Sequence, residues 1–123
     1  MIATAVFLAA CGGGQIIPTG PTTATSSASI PDPSTATSLT YTSNIAPILQ
    51  GDCVMCHNSS LRSAGYDLSS YSAVMRAVTP GNANSVLVRA TQPGGVMYSM
   101  MGASASNGAA TIRRWVVDFN AAQ

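Results

Sequence analysis

The stretch Cys53-Val54-Met55-Cys56-His57 decides the fold that we expect for this chain. Two cysteines separated by two residues and followed directly by a histidine have the spacing that attaches a c-type haem. Each thiol adds across one vinyl group of the porphyrin to form a thioether, and the adjacent imidazole can then coordinate the iron. The motif therefore predicts one covalently bound haem c, held by Cys53, Cys56 and His57.

A Cys-x-x-Cys pair also has other common roles. A structural zinc site needs four ligands, and the chain has no second cysteine pair and no histidine besides His57. A thiol-disulfide redox motif needs a strand followed by a helix around it, whereas this motif is expected to follow a short helical segment. Haem attachment is the favoured interpretation, and a zinc half-site, a redox pair and a chance coincidence stay open.

The composition limits the function classes. The chain has 123 residues, of which 7% are charged, and its formal net charge is +1. A length of this order allows one domain of modest size. Nucleic-acid-binding surfaces need clustered basic residues, so the composition argues against a nucleic-acid partner.

The N-terminal residues are typical of an exported, lipid-anchored protein. Residues 1–10 form an apolar run that is too short to span a bilayer and resembles the end of a signal peptide. Leu8-Ala9-Ala10-Cys11-Gly12 resembles a bacterial lipobox, in which the cysteine is lipidated and becomes the new N-terminus. We expect Cys11 to anchor a periplasmic or cell-surface protein to a membrane. The alternative is a buried cysteine after an ordinary hydrophobic run.

Residues 11–40 differ in composition from the rest of the chain. They consist mainly of Gly, Pro, Ser, Thr and Ala, and such a segment cannot bury enough apolar surface to offset the entropy lost on ordering it. Its prolines favour extended conformations. We expect a disordered tether that holds a folded domain, residues 41–123, away from the membrane.

From residue 41 onward, apolar side chains recur at the helical period, which predicts an all-α domain. Asn44 is expected to cap the first helix, and Ser69 or Ser70 to cap a second one. The last helix is expected to begin near Ser106 or Asn107, with Arg113, Arg114 and Asp118 on its solvent side. Its buried face is expected to comprise Ile112, Trp115, Val116 and Phe119.

The second axial ligand of the iron must be sought among the methionines, because His57 is the only histidine. A thioether is the partner of histidine in electron-transfer cytochromes. Met97, Met100 and Met101 lie in a glycine-rich segment that can fold over the opposite haem face. We expect Met97 to be the ligand, because two glycines precede it and suit a chain pressed close to a porphyrin plane. Met100 and Met101 are the alternatives, and filling a gap in the core is the other role open to each methionine.

The motif and its surroundings resemble small monohaem c-type cytochromes of the class I type, in particular a bacterial lipoprotein subset. In that subset, a segment similar to Tyr41-Thr42-Ser43-Asn44-Ile45-Ala46-Pro47-Ile48-Leu49 precedes the haem motif. A glycine-methionine loop then precedes a final helix similar to Ala110-Thr111-Ile112-Arg113-Arg114-Trp115-Val116-Val117-Asp118. The resemblance implies a helical fold around one haem, with the first and last helices crossing. It also implies that the methionine loop closes the distal face and that Trp115 lies near the crossing or near a haem propionate.

A haem with histidine and methionine ligands has no open site for a substrate, so its natural function is the transfer of single electrons. We therefore expect a non-enzymatic electron-transfer cytochrome whose partners are redox proteins. A haem-bearing subunit of a larger redox complex is one alternative, favoured by the scarcity of charge available to steer encounters. A gas-binding or peroxidase-like haem domain with an open iron is the other.

Overall fold

A computed structural model of the protein describes residues 32–123. The expected end of a signal peptide, Cys11 and most of the expected tether lie outside the described residues. The described part is all-α: it contains four α-helices, joined by loops and by short π- and 3-10-helical turns, and no strand. No helix in residues 32–123 is both long enough and apolar enough to cross a membrane.

The first helical segment is a π-helical turn, Tyr41–Ile45, that leads directly into helix α1, Ala46–Asp52. Thr40 caps the π-helical turn, since its hydroxyl accepts a hydrogen bond of 3.3 Å from the backbone N–H of Ser43. In return, the side-chain oxygen of Asn44 accepts the backbone N–H of Thr40 at 3.0 Å. This reciprocal arrangement is similar to a capping box, but the side chain that reaches back belongs to the fourth residue after the cap and not to the third. The predicted cap at Asn44 is therefore wrong, because Asn44 lies inside the helical segment and supports the cap from there.

The middle of the domain contains two short helices. Helix α2, Tyr71–Val74, begins after Ser70, whose hydroxyl accepts the backbone N–H of Ala73 at 3.3 Å. This contact confirms the predicted cap. A 3-10 turn, Met75–Ala77, follows α2, and helix α3 spans Val86–Thr91.

The final helix directly follows the methionine segment. A 3-10 segment, Tyr98–Ser104, is kinked at Gly102 and leads directly into helix α4, Ala105–Val117. Helix α4 thus begins one or two residues before the expected start at Ser106 or Asn107. Phe119 lies beyond the end of α4 and is only half-buried. Three of the four side chains predicted for the buried face are completely buried: Ile112, Trp115 and Val116.

Residues after α4 return along the domain and tie its ends together. The backbone carbonyl of Ala122 accepts hydrogen bonds from the indole N–H of Trp115 at 2.7 Å and from the backbone N–H of Tyr41 at 2.8 Å. The carbonyl of Ala121 accepts the hydroxyl of Tyr71 at 3.0 Å. Asn120 and Ala121 both have positive φ angles, 50° and 53°, which turn the chain back. The aromatic rings of Tyr41 and Trp115 lie 6.1 Å apart in the same region.

The packed part of the chain begins before residue 41. Leu39 is buried in the same hydrophobic core as α1 and α4, and the guanidinium of Arg114 donates a hydrogen bond of 3.4 Å to the carbonyl of Ala36. The predicted boundary between residues 40 and 41 thus falls inside the packed region. Arg114 was expected on the solvent side of α4, but its side chain is only 26% exposed. Its guanidinium covers the ring of Phe119 at 5.4 Å, which explains its burial.

Candidate functional site

One cavity brings together the predicted site residues. It contains about 850 Å³ of empty space, counted out to its open mouth. Its wall is mainly apolar and includes Leu68, Leu87 and Val96. Six predicted site residues contribute to the wall: Cys53, Cys56, His57, Met97, Met100 and Met101. Residues more than 40 positions apart in sequence therefore face a common, mainly apolar space.

The cysteine motif forms a tight turn at the end of α1. The carbonyl of Cys53 accepts hydrogen bonds from the backbone N–H groups of Cys56, at 3.2 Å, and of His57, at 2.9 Å. This closed turn keeps Cys53, Cys56 and His57 together, and all three residues belong to the wall of the same cavity. Both thiols are free; Cys53 is buried and Cys56 is exposed.

The environment of Cys53 does not favour a thiol-disulfide redox pair. Burial, with a further contribution from the neighbouring Asp52 carboxylate, raises the pKa of the Cys53 thiol to about 11. The thiolate is the reactive form in disulfide exchange, and redox-active cysteines have a lowered pKa. The buried Cys53 thiol is therefore poorly suited to disulfide exchange.

His57 has an unsatisfied polar atom. Its side-chain Nδ1 is buried and makes no hydrogen bond. The backbone of His57 is fixed separately, because its carbonyl accepts the N–H of Leu68 at 2.7 Å. Buried polar atoms without a partner are rare because losing water without a replacement is unfavourable. The imidazole therefore has hydrogen-bonding or ligating capacity that no described residue uses.

The three candidate methionines have different surroundings. Met101 is only 2% exposed, and a Cβ atom built on Gly108 would lie 2.8 Å from its terminal methyl carbon. Met100 is 69% exposed. Met97 is half-buried, and its backbone N–H donates a hydrogen bond of 2.9 Å to the carbonyl of Ala90. Met101 is thus engaged in packing against α4, whereas Met97 combines partial burial with a fixed backbone.

Gly95 is required for a close contact, but not the expected one. A Cβ atom at this position would come closer than 3.0 Å to the carbonyl oxygens of Arg89 and Ala90. The backbone N–H of Gly95 also donates to the carbonyl of Gln92 at 2.7 Å. The end of α3 therefore accounts for the glycine at this position, and its expected close approach to a porphyrin plane stays a prediction.

Three wall residues with polar side chains were not predicted from the sequence: Asp52, Tyr66 and Thr91. Asp52 is the only charged side chain among the described residues of the wall, and Tyr66 contributes a phenol ring. The position of Asp52 directly before Cys53 could have drawn attention to it. The sequence offers no local pattern for Tyr66, because the loop that contains it folds back onto the cavity through tertiary contacts.

Trp115 does not belong to the cavity wall. It lies instead where α4 packs against the π-helical turn, close to Tyr41. Of the two positions that the resemblance implies for Trp115, this corresponds to the contact between the first and last helical segments. Within residues 32–123, no three His, Cys, Asp or Glu side chains cluster as ligands for one metal ion. Comparisons of the chain with protein-family models, curated proteins and solved structures found no match.

Proposed function

We propose that this protein is an electron-transfer cytochrome that carries one haem c attached to Cys53 and Cys56, with His57 and a methionine as axial ligands. The observation that carries the proposal is the shared cavity, in which two free thiols, an imidazole and three thioethers line a mainly apolar wall. The unpartnered, buried Nδ1 of His57 also fits a site whose polar groups are completed by a bound group.

In this proposal the haem supplies a centre that gains and loses one electron without a change of ligands. Cys53 and Cys56 would hold the group covalently, and His57 would be a ligand of its iron. Apolar side chains such as Leu68 and Leu87 exclude water from the cavity. A low-polarity wall disfavours the more highly charged oxidised state, so these side chains raise the reduction potential.

Met97 is the favoured second axial ligand. Met101 fills space beside Gly108, so coordination would remove it from its packing contacts. Met100 is largely exposed to solvent. Met97 is half-buried at the wall, and its backbone is held by Ala90. Met100 and Met101 are the alternatives that the experiment below distinguishes.

The proposed setting is outside the cytoplasm. Cys11 is lipidated in this proposal, and the segment that follows it tethers the helical domain to a membrane, where it exchanges electrons with redox proteins. Support for this part comes from the lipobox-like residues around Cys11 and from the Ser-, Thr- and Pro-rich composition that follows them.

A haem-bearing subunit of a larger redox complex is the second candidate. Met55, between the two cysteines, is 80% exposed, and Leu61 and Val96 are also large exposed apolar side chains. Val96 belongs to the cavity wall itself. Exposed apolar side chains near a site are typical of surfaces that pack against a partner, so the oligomeric state of the purified, haem-loaded chain distinguishes the two candidates.

The direct test is the intact mass and optical spectrum of the full chain, produced with c-type haem attachment machinery. We expect one covalent haem, a low-spin spectrum and negligible binding of carbon monoxide to the ferrous protein. H57A should lose the normal spectrum, and M97A should keep attached haem but become high-spin. M55A is the matched control and should behave as the unchanged protein.

A mass without haem would refute the proposal. A low-spin M97A spectrum would move the ligand assignment to Met100 or Met101. Ready carbon monoxide binding by the unaltered chain would favour an open-iron haem domain instead.

A further inference from the structure

The Ser104 hydroxyl lies between two acceptors from different parts of the chain. Its oxygen is 2.6 Å from Oδ2 of Asp52 and 2.8 Å from the backbone carbonyl oxygen of Met101. The hydroxyl has one proton, so both acceptors compete for the same donor. The contact with Asp52 joins residues that are 52 positions apart in sequence.

These contacts connect the two halves of the candidate site. Asp52 is the last residue of α1 and directly precedes Cys53. Met101 belongs to the segment that supplies the candidate distal ligands, and Gly102, with a φ angle of 57°, turns the chain between Met101 and Ser104. A single hydroxyl therefore holds the end of the methionine segment against the end of the helix that presents the cysteines.

The charge of Asp52 makes this bridge significant. A carboxylate on a mainly apolar wall is unfavourable unless it is hydrogen-bonded, and Ser104 supplies a short hydrogen bond to it. Hydrogen bonds to an ionised acceptor are stronger than those between neutral groups. The bridge thus explains why a charged residue is accommodated in the wall.

We propose that Ser104 is a positioning residue that, through Asp52, holds the methionine segment (residues 97–104) closed over the cavity. The inference rests on the proposed function, because closure of this segment determines how firmly the distal methionine binds iron. It applies to any of the three methionines, since the bridge fixes the end of the segment that contains all of them.

The test measures how easily an external ligand displaces the distal methionine. Imidazole is titrated into the ferric, haem-loaded full chain, and its apparent affinity is read from the optical spectrum. Breaking one partly buried, charge-assisted hydrogen bond should raise the imidazole affinity of S104A by about tenfold. S104T keeps a hydroxyl and should stay within about twofold of the unaltered protein.

Variants of the acceptor and two controls complete the design. D52A should match S104A, and the double variant should add little to either, because both changes remove one interaction. S106A is the matched control: Ser106 is exposed, two residues along the chain, and its variant should leave the affinity unchanged. W115F removes a hydrogen bond away from the cavity and tests for a purely global loss of stability.

An S104A affinity equal to that of S106A would overturn the inference. An equal rise in imidazole affinity in S104A and W115F, at matched thermal stability, would also overturn it, because that result would assign Ser104 a merely structural role. If the unaltered chain carries no haem, that result refutes the proposed function but does not test the bridge. Amide hydrogen exchange of residues 97–104 in the haem-free chain then tests the bridge, with faster exchange expected in S104A than in S106A and equal exchange overturning it.

Discussion

Substitution of Gly95 by alanine should destabilise the fold although the change adds only one methyl group. The added Cβ would come closer than 3.0 Å to the backbone carbonyl oxygens of Arg89 and Ala90. Backbone atoms cannot rotate away as a side chain can, so the loop must move from the end of α3. That movement would weaken the hydrogen bond of 2.9 Å from the N–H of Met97 to the carbonyl of Ala90.

The magnitude follows from these contacts. Overpacking of this kind costs about 1–3 kcal/mol, and loss of one backbone hydrogen bond adds about 1 kcal/mol. Alanine restricts the unfolded chain more than glycine does, which offsets about 0.4–1 kcal/mol of this loss of stability. We therefore expect G95A to lower the free energy of unfolding by about 2 kcal/mol. At an m value of about 1–2 kcal/mol/M, its urea midpoint should fall by about 1–2 M.

Equilibrium urea unfolding followed by circular dichroism at 222 nm measures this change. Gly51 provides a matched control within the same chain, because no atom lies within 4 Å of a Cβ built there. Since Gly51 lies inside α1, G51A should raise the free energy of unfolding by about 0.5–1 kcal/mol. Equal midpoints for G95A and the unaltered protein would refute the close contact between residue 95 and α3.

Four further predictions concern the cavity wall. M101A should lower the free energy of unfolding, measured in urea titrations, by about 2–5 kcal/mol, because Met101 is buried. M100A should change it by less than about 0.5 kcal/mol, because Met100 is exposed. Equal losses in the two variants would contradict this difference in burial. In the haem-loaded chain, D52N should raise the midpoint potential in a redox titration by on the order of tens of millivolts, because it removes one nearby negative charge that stabilises the oxidised state. A lower potential would contradict this prediction. In the haem-free chain, iodoacetamide should alkylate Cys56 faster than Cys53, because only Cys56 is exposed. The same chain should lose stability as pH rises from about 9 to about 11, because the folded state keeps the Cys53 proton that the unfolded state releases; a C53S variant that keeps the full pH dependence would refute the assignment.

The helical class and the main buried face could be predicted from the sequence because they depend on local periodicity. Ile112, Trp115 and Val116 recur at helical spacing and are completely buried. The cap at Ser70 was predictable for the same reason, since capping involves residues only three positions apart. The cap at Asn44 was wrong, because several polar residues near the start of the helical segment fit the pattern and the π-helical turn, which begins at Tyr41, is capped by Thr40.

Long-range contacts account for what the sequence did not predict. Asp52 and Ser104 are 52 positions apart, and nothing in either local sequence specifies the other as a partner. The close approach of Gly95 to the end of α3 was not predicted either, because it depends on how the chain folds back onto that helix. Leu39 lies among residues of tether-like composition and is nevertheless buried, because it packs into the hydrophobic core. Composition averages over a segment and cannot identify one side chain that packs.

The return of the chain at residues 120–122 bears on the timing of folding. Tyr41 and Trp115 both depend on the carbonyl of Ala122, and Tyr71 depends on that of Ala121. Such distant contacts form late, since loop closure must precede them. A chain shortened before residue 120 would therefore lose the hydrogen-bond acceptors of Tyr41, Trp115 and Tyr71 together, and three separate helical segments would lose a common anchor.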